Sequence, residues 1–224
     1  MGNKTVSDVI DLVARGWKTI LANNTVNETI PDFSTVATTN EGLFKAEDDL
    51  GISYYFRGAV NNNWVKFGKD SSGNYMYWRI IRINGDGSIR MIYSGTSAPA
   101  SSTATVMTGE GTQISTSSFT GSNGNPSYVG YMYTAGQQHG NNSPSMIKTI
   151  IEKWYKTTTL DTDTSTKTLI SQDQIFCNDR SVTSGTWSSS PLSILNYAAN
   201  TRLVENKNPI LTCPTESEKF TSKK

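Results

Sequence analysis

The 224-residue sequence predicts an α+β fold: an antiparallel β meander packed by one or two helices, with long Ser/Thr/Gly loops. Three observations lead there. Residues 75–83 and 88–93 are aromatic and β-branched runs either side of Asn84-Gly85-Asp86-Gly87, the signature of a β-hairpin. Short aromatic strands precede it at 53–56 and 64–67, with turn residues between, and short connections of this kind permit antiparallel neighbours. Met146, Ile147, Ile150, Ile151, Trp154 and Tyr155 then recur at helical spacing, a wide apolar face that needs a sheet to cover.

In chain order, Val6, Val9, Ile10, Val13, Trp17, Ile20 and Leu21 form the stripe of an N-terminal amphipathic helix within residues 1–30. Gly16 weakens its middle by about 1 kcal/mol relative to Ala, and Asn23-Asn24 ends it. Few Lys or Arg lie on its polar face, so it reads as a helix covering a core edge rather than a membrane surface. Residues 31–42 read as an extended linker, and the main α+β domain is placed at 43–224. Asp70-Ser71-Ser72-Gly73-Asn74 is a turn leading into the central hairpin. The segment 95–127 is almost all Ser, Thr, Gly, Ala and Asn, with Phe119 its one large aromatic. It offers too little apolar surface to offset an ordering entropy of roughly 1–2 kcal/mol per residue, and reads as a variable, ligand-facing loop. Residues 128–133 return to strand. The second helix is expected to be capped by Ser143 with Pro144 in its first turn, followed by a polar connection at 157–168. Residues 174–178 form a short apolar piece, 181–191 a loop, and 192–203 a short helix.

Hairpin register follows from the turn. A three-residue loop of Gly85, Asp86 and Gly87, with Gly87 left-handed, pairs Ile83 with Ile89 and Ile81 with Met91, apolar on apolar. It also sets Arg82 opposite Arg90, a small penalty near a solvated tip. A two-residue loop would instead oppose Ile81 with Arg90 and Arg79 with Ile92.

Charged residues make up 17% of the chain, below the roughly 25% usual for globular proteins, so Ser, Thr, Asn and Gly supply much of the polar surface. That balance suits secreted or surface β-rich proteins. The formal net charge is +1, with no long basic run, which argues against nucleic acid as a partner. No apolar run approaches the roughly 18 residues needed to cross a bilayer, so no membrane insertion is expected. The N-terminus has no apolar stretch of the signal-peptide kind, so for an exported protein the targeting segment is expected outside this chain.

Catalytic chemistry finds little to work with. His139 is the sole histidine, in a Gly-Gln-Gln-His-Gly loop without a nucleophile elbow. With one His and two Cys, no zinc set of the usual kind can be assembled. Asp161, Asp163 and Ser165 are spaced like the start of a calcium loop, but Thr166 and Gln172 stand where that loop needs Gly and Glu. Glu47-Asp48-Asp49 reads as a solvated turn, and Asn178-Asp179-Arg180 as a structural salt bridge and turn. Trp64 and Trp187 are either sugar-stacking rings or core residues. No catalytic residue, metal ligand or cofactor is assigned. Cys177 and Cys213 lie 36 residues apart; a disulfide between them would be worth roughly 4 kcal/mol of chain entropy, and two free buried thiols are the alternative.

Residues 78–87, Trp-Arg-Ile-Ile-Arg-Ile-Asn-Gly-Asp-Gly, resemble a family of uncharacterised secreted or surface proteins from gut Firmicutes. Matching pieces are Asp49-Leu50-Gly51 running into 53–60, Asn63-Trp64-Val65-Lys66-Phe67, residues 147–156, and Phe176-Cys177-Asn178-Asp179-Arg180-Ser181. The resemblance spans about 33–220. Family members often continue with further strand-forming sequence, which implies a domain truncated at its C-terminal end. The helix-plus-Trp-strand layout is more loosely similar to the C-type-lectin and formylglycine-generating superfamily, whose folds display long variable loops. Its oxidases use paired reactive cysteines at a copper site, and only Cys177 and Cys213 are present here, without the surrounding motif.

These readings converge on a non-catalytic extracellular or cell-surface bacterial domain that recognises a glycan or a host or bacterial surface protein through its loops. A structural spacer of a larger surface protein and a formylglycine-generating-like oxidase are the alternatives.

Overall fold

The computed structural model describes residues 16–99, 109–119, 125–138, 140–184 and 196–222. His139, Trp187 and residues 1–15, where the first part of the N-terminal helix is expected, lie outside them. The fold is α+β, with a six-stranded, mostly antiparallel sheet and several short helices. Contacts divide the chain into two units. Unit one draws on residues 1–112, 163–171 and 210–212; unit two draws on 113–162, 172–209 and 213–224.

Unit one holds the sheet. A helix, α1 at residues 16–22, ends where the Asn23 and Asn24 side-chain amides donate to the Thr19 and Ile20 carbonyls. This satisfies acceptors that a helix terminus otherwise leaves open. Gly16 faces the Ile89 side chain, and a Cβ on Gly87 would come within 3.3 Å of the Trp17 indole. The strands are β1 (Val26–Asn27), β2 (Asn40–Asp48), β3 (Gly51–Gly58), β4 (Trp64–Lys69), β5 (Tyr75–Ile83) and β6 (Ile89–Tyr93). They are ordered β1-β2-β3-β5-β4, with β6 also on β5 and β1 parallel to β2. Strand β2 therefore starts inside the stretch read as linker. The rest of that stretch is tied down by Arg57, which pairs with Glu41, donates to the Asp32 (2.6 Å) and Thr35 (3.1 Å) carbonyls, and lies over the Phe33 ring.

Strand β5 is the hub. Its edge away from β6 is shared: β3 takes Arg82 and Ile83, while β4 takes residues 75–79. The hairpin turn is the three-residue loop expected. Gly87 has φ +84°, its N–H donates to Asn84 O, and Ile83 pairs with Ile89 and Arg82 with Arg90. The expected pairing of Ile81 with Met91 is not present. A bulge at Ile81 gives Met91 to Ile80 and aligns Arg79 with Ile92, the register of the two-residue loop. The extra residue flips side-chain parity, so Met76 and Ile80 before it and Ile83 after it all point to the buried face. Leu43, Phe44 and Val60 complete the buried apolar set of this unit. In α4 (Thr164–Lys167), Asp163 is the N-cap, accepting from Thr166 N at 3.0 Å.

Unit two is built from short pieces. Strand β7 (Met132–Tyr133) pairs with β8 (Ser143–Pro144), β9 (Phe176–Cys177) with β12 (Lys219–Phe220), and β10 (Val182–Ser184) with β11 (Asn196–Tyr197). Helix α2 spans Met146–Tyr155, and its cap is Ser145, not Ser143. Ser145 Oγ accepts from Lys148 N and donates to Gly130 O at 2.5 Å, while Ser143 and Pro144 are used in β8. The connection read as polar loop contains α3 (Thr159–Thr162). A turn of helix, α5 (Ala198–Asn200), widens to π spacing over Thr201–Glu205. Cys177 and Cys213 are joined as a disulfide, with Cα atoms 5.5 Å apart.

Candidate functional site

The fork in the sheet creates a cleft in unit one. Where β3 and β4 diverge along β5, neither strand pairs with Ile80. Asn63, buried in the connection between them, takes that place. Ile80 N donates to Asn63 O at 2.8 Å, and Asn63 Nδ2 donates to Ile80 O at 2.7 Å. A buried backbone N–H and C=O must be paired, and where the strand has ended the Asn63 backbone carbonyl takes the one and its side-chain amide the other. Asn63 Oδ1 accepts from Arg79 Nε at 2.6 Å, and a second Arg79 nitrogen donates to Val60 O. The guanidinium also lies over the Trp64 ring at 4.4 Å. Burial pulls its pKa below the usual arginine value.

Beside this plug opens a cleft of about 360 Å³. Its walls are Phe56, Val60, Ile80, Ile81, Ile92 and Tyr93, with Asn63, Arg79, Ser94 and Thr112 as the polar contributors. Ile81 reaches it because of the bulge, and Ile92, 56% exposed, forms part of the rim. Thr112 arrives from the middle of the Ser/Thr/Gly segment. The Gly95 backbone lies against the Gly111 carbonyl, leaving no room for a Cβ on Gly95, and this close approach sets Thr112 against the cleft. Burial, followed by the charge of Asp70, pushes the Tyr93 phenol up, so it stays a neutral hydroxyl at neutral pH. The walls thus offer apolar area, one aromatic hydroxyl and an anchored cation. Among the described residues that line it there is no carboxylate, imidazole or thiol.

The residues singled out from sequence take other places. Trp64 is half-buried with Arg79 on its ring. Asp48 corrects the reading of its acidic run as a solvated turn: it is buried, and its carboxylate accepts from Leu50 N at 2.8 Å and Gly85 N at 3.1 Å. It joins the β2–β3 turn to the β5–β6 turn, at a point where a Cβ on Gly85 would lie 2.6 Å from Leu50 C. Arg82 Nε donates to Asn84 Oδ1 at 2.9 Å and Arg90 Nε to the same oxygen at 3.3 Å. Burial, aided by Arg82, pushes Arg90 down to about 10, with Asp48 acting in the opposite sense.

In unit two, Asn178-Asp179-Arg180 forms the structural network expected. Asp179 pairs with Arg202 at 2.6 Å, Arg180 Nη2 donates to Met132 O at 2.9 Å, and Arg180 N donates to buried Glu218 at 3.1 Å. Sequence reasoning missed Asn63, Arg79, Ile81 and Thr112 as partners. Only the position of Asn63 just before a strand hinted at a role.

The chain matches no family model, no curated protein and no solved structure.

Proposed function

We propose that this chain is a non-catalytic recognition domain working outside the cell, with the fork cleft as its ligand-contacting site. The observation that carries this reading is the chemistry of the cleft. Apolar walls surround a few directional polar groups, the usual make-up of a binding pocket. Two of those groups, Asn63 and Arg79, are pinned by internal hydrogen bonds that keep them in place without a ligand. The Cys177–Cys213 bond supports an oxidising compartment. It also favours recognition over the oxidase alternative, which requires cysteines as thiols.

A glycan and surface-protein array probed with the full chain tests the proposal, alongside Ile92→Asp at the cleft rim. Ile92 is exposed, so the variant should melt with the parent protein. Binding that is present in the parent and lost in Ile92→Asp is the expected result. Silence across the array, or binding indifferent to Ile92→Asp, overturns it.

A further inference from the structure

The outer face of β4 and β5 carries a second pattern, which starts at the cleft residue Arg79 and runs away from the cleft to Tyr75. Trp64 pairs with Arg79, Lys66 with Tyr77 and Lys69 with Tyr75. Every one of these cross-strand pairs sets a cation against an aromatic ring. The bulge between Lys66 and Lys69 keeps this order: it inserts one residue, so Lys69 stays on the same face as Lys66. Val65 and Trp78 pair on the opposite face. The pattern is seen in space as well as in register. Lys66 Nζ lies 4.2 Å and Lys69 Nζ 4.7 Å from the Tyr75 ring centre, and the Arg79 guanidinium lies 4.4 Å from that of Trp64.

This face is open to solvent at Lys66 and Tyr75, and Lys69 beside them is half-buried. Tyr75 is 48% exposed and Lys66 is exposed. Asp70 shapes the turn beyond β4: Oδ1 accepts from Ser72 N and Asn74 N, and Oδ2 from Asn74 Nδ2. A lysine over an exposed ring makes a weak contact, and its flexible stem lets the ammonium swing to an arriving anion while its carbons stay packed. The ring it leaves is then a flat apolar platform.

We infer that the Lys66–Lys69–Tyr75–Tyr77 face binds an anionic polysaccharide. A charged sugar presents both complements at once: carboxylate or sulfate oxygens for the ammonium groups, and a C–H face of the pyranose for the tyrosine ring. Single-stranded nucleic acid also combines charge with stacking, but it is favoured by a dense basic groove. Here the chain's net charge is +1 and the Arg79 guanidinium is committed to Asn63 and Val60. The inference does not depend on the cleft holding a ligand.

The test uses the full chain with heparin and polygalacturonate as probes, against neutral dextran and oligothymidylate. Both acidic glycans are expected to bind, more weakly as salt is raised, with dextran inert. Lys66→Gln/Lys69→Gln should weaken binding about tenfold or more, the scale of a charge-assisted contact. Lys66→Arg/Lys69→Arg should retain it. Lys153→Gln/Lys156→Gln, which removes two exposed charges elsewhere, should leave it unchanged. Tyr75→Ser should weaken binding while Tyr75→Phe preserves it. The inference is overturned by absence of binding at low salt, by equal losses in the two Lys→Gln pairs, by dextran binding as well as heparin, or by a preference for oligothymidylate.

Discussion

Unit one keeps Leu43, Phe44, Val60, Met76, Ile80 and Ile83 out of solvent, whereas among the described residues of unit two only Leu160 is an apolar side chain buried as fully. The two are held by different physics. In unit one, paired strands bring alternate residues to one face, and apolar burial provides the stabilisation. Unit two has strands of two or three residues and relies on cross-links that act one at a time. The disulfide is one and the Arg180–Glu218 network another. A third is a ring stack in which Phe220 lies 4.0 Å from Tyr131 and 5.7 Å from Phe176. A small apolar core can be replaced by such staples, but each staple then carries a larger share of the stability.

Opening the disulfide should separate the behaviour of the two units most widely. Reduction, or Cys177→Ser/Cys213→Ser, removes roughly 4 kcal/mol by the chain-entropy relation for a 36-residue separation. Segment-resolved amide exchange should show protection lost at Phe176, Cys177, Lys219 and Phe220, with β2, β3 and β5 little changed. Loss spread equally through both units would contradict the division. The mirror experiment is Ile83→Ala, which should cost about 3 kcal/mol, within the usual range for a buried Ile, and be felt in β3, β5 and β6. A denaturant titration of the variant that leaves β5 protection unchanged would refute it.

Ser145→Ala sharpens the picture within unit two. The buried hydroxyl both caps α2 and bonds Gly130, so its removal should cost about 1 kcal/mol and speed exchange at Lys148 N. The smallest effect is at Asp163. Hydrogen bonds from the Thr166 and Ser165 hydroxyls, then from Thr166 N, lower its pKa from 3.8 to about 2. A folded-state value below the unfolded one means the carboxylate's contribution is complete above about pH 4 and is lost as pH falls through about 2. Exchange at Thr166 N should accelerate over that window in the parent protein, and the acceleration should vanish in Asp163→Asn.

The hairpin at 75–93 was readable because its determinants are local. Asn-Gly-Asp-Gly needs a left-handed residue and Gly87 supplies it, while the flanking runs are strongly strand-forming. The bulge at Ile81 was not readable, because its cause is distant: two strands compete for one edge of β5, and Asn63 arrives to fill the gap. The cap of α2 shows the same limit. From sequence Ser143 is favoured, because Pro144 then falls in the first turn, and the Gly130 carbonyl, fifteen residues from Ser145, selects Ser145 instead. Asp48 is the converse case, an acidic run whose middle member is buried because another turn docks on it.

Residue order alone therefore settled the elements whose instructions lie within a few positions: the turn at Gly85–Gly87, the strands either side of it, the amphipathic character of α2, and the pool of cysteines from which a bond could form. Tertiary contact decided the bulge, the fork, the cleft and the partner of each cap. The physical reason is that local propensities act over one or two turns of chain, whereas every polar group in a buried place must find whatever partner the rest of the fold brings within about 3 Å.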